Sequence, residues 1–487
     1  MSFFNKYIKA TAILVCIGLL VSCKKYLDVR PKTEAPQDVL FNSQQGFKDA
    51  LTGVYIQMRG SSTYGNALSF GTIDRLISNW DVTANTTDQR IGLYQFQDEG
   101  VQSTFRSIYN QVYYSIANLN ALLAKIDQQK SVFTTNGLYE IVKGEALALR
   151  AYLHLDILRL YGPIPEAVDP AIKLSYVRKL SSAVHPVSDF AEYKSLLFAD
   201  LTEAEQLLKD IDPVLQYTIA ELSNPAPTAV FNPEDSYMAY RHLRLNYFAI
   251  KALQARTHLW FNEKEQAYAA AKEVVDAKNQ NGSTKFRLGT SADMTATNYV
   301  LTPEHVFGLY DFDMANSFLN NFNSGTYKKG ANNATINGQL YGSTGTDIRE
   351  ANLWQQITLA NQSNAYILRK YRINTTGSTA ITSVATDYRQ IPLLRLSEMY
   401  LILCETAPAA DAQTYWAAFR QARNIPVTTL PVDPVLKRIE VIKEYRKEFY
   451  GEGQAFYAYK RINAPKTNVL FTPAAATINY VVPVPVN

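Results

Sequence analysis

Cysteine is nearly missing from this chain. Its 487 residues hold three, and two of them, Cys16 and Cys23, fall in the first 23 positions. Neither a disulfide framework nor a cysteine zinc site can be built from that supply, and Cys404 reads as a small buried hydrophobe. Histidine is scarce as well. His154, His185, His242, His258 and His305 are scattered, with no His-Glu-x-x-His or other paired spacing, so no metal is expected. Excess charge of one sign is also absent: 48 Lys+Arg against 44 Asp+Glu gives a formal +4, and nothing forms the basic footprint of a nucleic-acid partner. There is no Gly-x-Ser-x-Gly elbow, no phosphate loop and no dinucleotide fingerprint, so no cofactor is expected. Carboxylate pairs such as Asp311 with Asp313, or Asp98 with Glu99, could be drawn as a glycosidase acid and nucleophile. Among 44 acidic residues such pairs arise by chance, and the chain reads as a binding protein rather than an enzyme.

What is abundant is tyrosine: 32, against 22 phenylalanines and 4 tryptophans. The length suffices to bury a sizeable core, and the composition is that of a folded chain. At the N-terminus, Lys6 and Lys9 precede the apolar run Ala10 to Val21, the pattern of a secretory signal. The run is shorter than the roughly 20 residues needed to span a bilayer. The exit sequence Leu20-Val21-Ser22-Cys23 resembles a bacterial lipobox, which makes Cys23 the expected lipid-attachment residue. Acyl chains there would hold the body at a membrane surface, each buried methylene contributing about 0.8 kcal/mol.

Beyond a proline-bearing tether over 24–42, apolar residues recur at three- and four-residue spacing. This predicts helices from Ser43 to Met58 (Ser43 as N-cap), Thr104 to Ile126, Leu138 to Tyr161, Ser188 to Ile211, Tyr240 to Phe261, Glu263 to Ala277, Arg395 to Pro408, Ala412 to Arg423 and Pro434 to Tyr450. The pair Tyr240 to Phe261 and Glu263 to Ala277, with a very short turn and many alanines, has the layout of a degenerate tetratricopeptide unit. Two stretches break the period. Arg59 to Gly100 is loop-rich, and Lys278 to Ile391 reads as an irregular lobe laid over the helices, where binding function tends to sit.

Four segments together resemble the SusD/RagB family of outer-membrane nutrient-binding lipoproteins of Bacteroidetes. They are Cys23 with CKKYLDVRPK, GEALALRAYLHLDILRLYGPIP from Gly144 to Pro165, RQIPLLRLSEMYLILCETAP from Arg389 to Pro408, and IKEYRKEFYGEGQAFYAYKR from Ile442 to Arg461. In the last, Ala455 and Ala458 stand where the family usually has Arg and Asp, which marks that family pair as a structural contact. Glu145, Arg150, Arg159, Glu398 and Arg446 are likewise expected to make ion pairs between helices.

The resemblance implies a mainly α fold: a tetratricopeptide-like helical-pair scaffold, a SusD-like superhelix, with a loop-rich lobe containing a few short strands. It divides the chain into a signal over 1–22, an N-terminal region over 23–230 and a C-terminal region over 231–487, in one compact body. It also implies a surface protein that captures a nutrient, most simply an oligosaccharide, and delivers it to a SusC-type TonB-dependent transporter. The alternative is a helical-repeat scaffold that binds protein or peptide. A sugar site needs flat aromatic faces with polar groups at their edges, and the family builds its sites from an N-terminal loop and the central region. The expected ligand residues are therefore Asn79, Trp80 and Asp81, with Asn85 nearby, and Tyr310, Asp311, Tyr327, Tyr341 and Trp354, with Asn332 nearby. Trp260, Trp416 and tyrosines in helical period, such as Tyr109, Tyr152 and Tyr457, belong to the scaffold.

Overall fold

A computed structural model describes residues 37–181, 183–373 and 388–485. Cys16 and Cys23 lie outside them. Among the described residues, ten α-helices of eight residues or more carry the architecture: α1 Gln44–Met58, α2 Glu99–Ile126, α3 Leu138–Tyr161, α4 Phe190–Leu208, α5 Tyr247–Trp260, α6 Lys264–Val275, α7 Leu396–Thr406, α8 Ala409–Ala422, α9 Pro434–Glu448 and α10 Gln454–Arg461. Their starts follow capping chemistry. The side chains of Ser43, Asp98, Asp189, Asn246 and Asp433 accept backbone N–H groups of the first turns of α1, α2, α4, α5 and α9. Asp98 thereby starts α2 five residues earlier than the apolar period predicts, and it also pairs with Arg90 at 2.8 Å. It is a cap, not half of a catalytic pair.

Successive helices pack on one another: α1 on α2, α2 on α3, α3 on α4, α5 on α6, α6 on α7, and α7 on α8 and α9. This is the expected chain of helix pairs. α3 is its axis. Apart from Tyr139, Glu140 and Lys143, all of its 24 residues are buried, because neighbours cover it on every side. Gly144 is what allows α4 so close: a Cβ there would sit 1.8 Å from Leu208 Cδ1. Buried polar groups on α3 each find partners. Arg150 forks onto Asp200 with two 2.7 Å bonds, Asp156 accepts from Tyr64 at 2.6 Å, and Arg159 pairs with Asp156 and donates to Gln454 at 3.0 Å. At its C-terminal end, the side-chain nitrogen of Lys460 on α10 donates to the carbonyls of Leu160 and Gly162 at 3.0 and 2.8 Å. These carbonyls lack helical partners, and burial pushes the Lys460 pKa well below its ordinary value, its nitrogen remaining a donor in either protonation state.

The irregular lobe is more ordered than its composition suggests. It holds β1 His305–Tyr310, β2 Trp354–Thr358 and β3 Asn364–Leu368, with β4 Gln390–Arg395 leading into α7. β1 and β4 pair antiparallel, from His305 opposite Arg395 to Tyr310 opposite Gln390, and β2 and β3 form a hairpin from Trp354 opposite Leu368 to Thr358 opposite Asn364.

The lobe is bolted down by a buried ion lattice. Glu448 of α9 accepts from Arg395 at 2.8 Å, from Arg423 at 2.8 Å and from Arg349 at 3.1 Å. Glu304 binds Arg395 and Arg423, Asp347 and Glu444 bind Arg349, and Glu452 binds Arg395 and Lys370. Each of these side chains is at most a few per cent exposed. Arg256 pairs with Glu398, and Arg241 with Glu145, in the same manner. Of the five charges expected to pair between helices, Glu145, Arg150 and Glu398 do so, Arg159 pairs with Asp156 on its own helix, and Arg446 has no carboxylate partner among the described residues.

Candidate functional site

An open cleft of about 480 Å³ lies where the C-terminal half of α1, the segment 236–244 and the end of β1 meet. Its floor is aromatic and charged at once. Glu145 of α3, fully buried, ion-pairs with Arg241, which also forks onto Asp212 at 2.9 and 2.8 Å. The same carboxylate accepts the Tyr55 hydroxyl at 2.9 Å and the Tyr237 hydroxyl at 3.4 Å. The guanidinium of Arg244 lies 3.8 Å from the centroid of the Tyr237 ring and 5.4 Å from that of Tyr55. Burial, and then the Glu145 charge, push the Tyr55 hydroxyl well above its ordinary pKa, so it stays a neutral donor. Hydrogen bonds and stacking therefore fix the floor before any ligand arrives. Tyr240, at the turn into 241–243, is held at φ 55°, an uncommon conformation for a side chain of its size.

The rim carries polar edges beside exposed rings. Arg59 Nη1 lies 3.6 Å from Asp311 Oδ1, and burial raises the Asp311 pKa. Tyr310 is 36% exposed and Phe312 71%. The Arg389 guanidinium sits 5.4 and 5.7 Å from the centres of these two rings, and Ile56 stands open on the α1 side. Planar apolar surface next to guanidinium and carboxylate is the combination a saccharide requires, since its C–H faces are apolar and its hydroxyls lie at the edge. Among the described residues no cluster of His, Cys, Asp or Glu could hold a metal ion, and no helix is long and apolar enough to cross a membrane.

Of the residues anticipated from sequence, Tyr310 and Asp311 are at this cleft. Trp80, Tyr327, Tyr341 and Trp354 are in the core, at most 5% exposed, with no face open to a ligand. Trp80 donates its indole N–H to the Phe70 carbonyl at 2.6 Å and packs on Tyr327 and Tyr450; Trp354 lies between Tyr450 and Tyr366. These rings join the N-terminal loop to the lobe. Asn79 is buried beside them, and its carbonyl accepts the Tyr450 hydroxyl. Asp81 is partly open, but its carboxylate accepts the Gly330 N–H at 2.6 Å and lies 3.4 Å from Lys329, while its own N–H donates to Lys328. It is a clasp on the lobe. Asn85 and Asn332 are exposed. If Trp80 is a core residue, Trp80→Phe is expected to lower stability by about 1–2 kcal/mol through the lost hydrogen bond, a shift thermal denaturation reads, while leaving ligand affinity unchanged.

The cleft residues missed from sequence are Arg59, Tyr55, Tyr240 and Arg244, together with Arg389 and Phe312 beside Tyr310. Tyr55 reads as an ordinary helix-face residue, Arg59 has no local pattern, and Arg244 falls within the expected helix Tyr240 to Phe261, which in the structure begins only at Tyr247.

Comparison with known proteins agrees with this architecture. A family model described as starch-binding, associating with the outer membrane, matches residues 25–211, and the SusD family model matches 234–480. A SusD-like protein of Formosa agariphila is 24% identical over 277 residues, covering 56% of this chain and 46% of that protein; a second from the same organism is 20% identical over 331 residues, covering 65% and 54%. The alignments thus span about half the length of these relatives. Among solved structures, a SusD homologue from Bacteroides thetaiotaomicron superposes with a TM-score of 0.65 at 17% identity, covering 94% of this chain and 95% of that one. A laminarin-binding SusD-like protein gives 0.63 at 18% identity, covering 91% and 96%. With one of its two models matching half of the sequence, and the helix-pair scaffold shared along nearly its whole described length, the chain belongs to the SusD family.

Proposed function

We propose that the cleft captures an oligosaccharide at the cell surface and that the protein hands it, without turnover, to a SusC-type TonB-dependent transporter. The observation that carries this is the pairing of exposed Tyr310 and Phe312 with Arg59, Asp311 and Arg389 above a floor locked by Glu145. The laminarin-binding neighbour and the starch-binding family model support a glucan as ligand. Few aromatic contacts oppose the cost of ordering a flexible chain, so affinity is expected to be weak.

Calorimetric titration with laminarin, starch-derived and peptide ligands tests the reading. Tyr310→Ala and Arg59→Ala should each weaken glycan binding by about tenfold, a loss near 1.4 kcal/mol, with the melting temperature unchanged. Binding to peptides with silence across all glycans would sink it in favour of a peptide scaffold. The lipid anchor has its own test: Cys23→Ala should move the protein from the membrane fraction to the soluble fraction, and unchanged membrane association would refute it.

A further inference from the structure

Arg446 is the one charge of its set left without a carboxylate among the described residues, and its surroundings give it a purpose. Its Nε is buried with no hydrogen-bond partner. Its neighbour in the fold is the buried hydroxyl of Tyr459. Arg446 lines a cavity of about 250 Å³, walled also by Ile442 and Lys443 of α9, Tyr459 of α10, and Ile462, Asn468 and Leu470 of the segment that follows. A second void of about 10 Å³ shares Arg446, Tyr459 and Leu470. Arg446 thus lines both spaces, and no carboxylate lines either.

An unpaired, partly desolvated cation is costly, and a planar carboxylate that can accept two parallel N–H groups relieves it best. Ile439, Ile442, Ile462, Ala464 and Leu470 give the wall an apolar side, beside Tyr459, Thr467, Asn468 and a second cation, Lys443, so the body of the ligand should be apolar and its charge negative. The volume is below the roughly 300 Å³ at which drug-sized sites begin, which sets the size at one ring or a short chain. We propose that this cavity binds a small organic carboxylate, its anionic group on Arg446 and its apolar body against Ile442, Ile462 and Leu470. The site is distinct from the cleft at Tyr310 and does not depend on the glycan reading.

Benzoate is the probe, with benzyl alcohol as its uncharged counterpart and inorganic phosphate as an anion without an apolar body. Titration of the full chain, followed by isoleucine methyl resonances, should show saturable benzoate binding with shifts centred on Ile442 and Ile462. Benzyl alcohol and phosphate should each bind at least about tenfold more weakly. Arg446→Gln should weaken benzoate by a similar factor without lowering the melting temperature. Should Arg446→Gln not fold, Ile462→Trp, which fills the cavity and keeps Arg446, should abolish benzoate binding. No saturable binding, equal binding of benzyl alcohol or phosphate, or benzoate affinity that survives Arg446→Gln or the filled cavity would each overturn the proposal.

Discussion

Glu448→Gln is expected to cost about 3–5 kcal/mol of stability, the range seen when one member of a buried ion cluster is neutralised. The side chain keeps its shape, so no cavity confuses the result. What changes is that Arg349, Arg395 and Arg423 all lose the same carboxylate. Each retains another acid: Asp347 and Glu444 for Arg349, Glu304 and Glu452 for Arg395, Glu304 for Arg423. The three cations nevertheless face one another with one charge fewer between them, in a region closed to water. These guanidiniums hold the Glu448 carboxyl well below its usual range, and Arg349 and then Lys447 hold Glu444 down to about 2. An acid with a lowered folded pKa stabilises the protein above its unfolded value near 4.3 and loses that contribution as pH falls through the folded value. The gap between wild type and Glu448→Gln should therefore be full at neutral pH and shrink steadily below about pH 4. Urea denaturation across pH measures both points. A loss below about 1 kcal/mol, of the kind an exposed pair such as Lys443 with Glu440 gives, would show that the lattice does not hold the lobe.

Asp74 should behave in the opposite sense. It sits fully buried on the short helix Thr72–Leu76, accepts the N–H of Gly451 at 2.8 Å, and has one oxygen without a hydrogen-bond partner. Burial pushes its pKa up to about 7; Asn79, the Gly451 N–H and Lys370 pull it back in part, while Glu452 raises it. The hydroxyls of Tyr371 and Tyr450 complete its surroundings, and both are held well above their usual pKa. Between about 3.8 and 7 the folded protein holds this proton and the unfolded chain releases it, so stability falls as pH rises through that window. Three units correspond to roughly 4 kcal/mol. Asp74→Asn keeps an acceptor for Gly451 and removes the titration. Its stability relative to wild type is therefore expected to climb from pH 4 to pH 7 by about that amount and then level off. A difference that stays flat over the window would refute the buried acid.

The two residues together explain how much was legible in advance. The helices were, because their period is local: Leu138–Tyr161 matches its expected limits, and α1 begins at the cap that Ser43 provides. The inter-helix ion pairs of Arg150, Glu145 and Glu398 were also anticipated, as charges set within apolar helices must be partnered; Arg159 finds its partner on its own helix instead. The binding residues were not. Trp80 lies in a polar run, Ile77 to Thr83, that looks exposed, yet it is covered by Tyr327 and Tyr450, some 250 and 370 positions further on. Arg244 lies in a basic stretch whose role depends on Glu145 arriving from α3. Burial and site membership here are made by distant pairings, and no local pattern encodes them.

The contact between Lys460 and the end of α3 has a consequence for how the molecule comes into being. A ribosome releases the chain from its N-terminus, and α3 can wind as soon as residue 161 has emerged. Its terminal carbonyls wait for a lysine nitrogen some three hundred residues later. At the usual pace of about 5–20 residues per second, that is an interval of tens of seconds in which the central helix is made but unsealed. The last tenth of the chain is thus a latch on the first third. A nascent chain halted before residue 460 should remain open to proteolysis at the end of α3, however complete its earlier helices are.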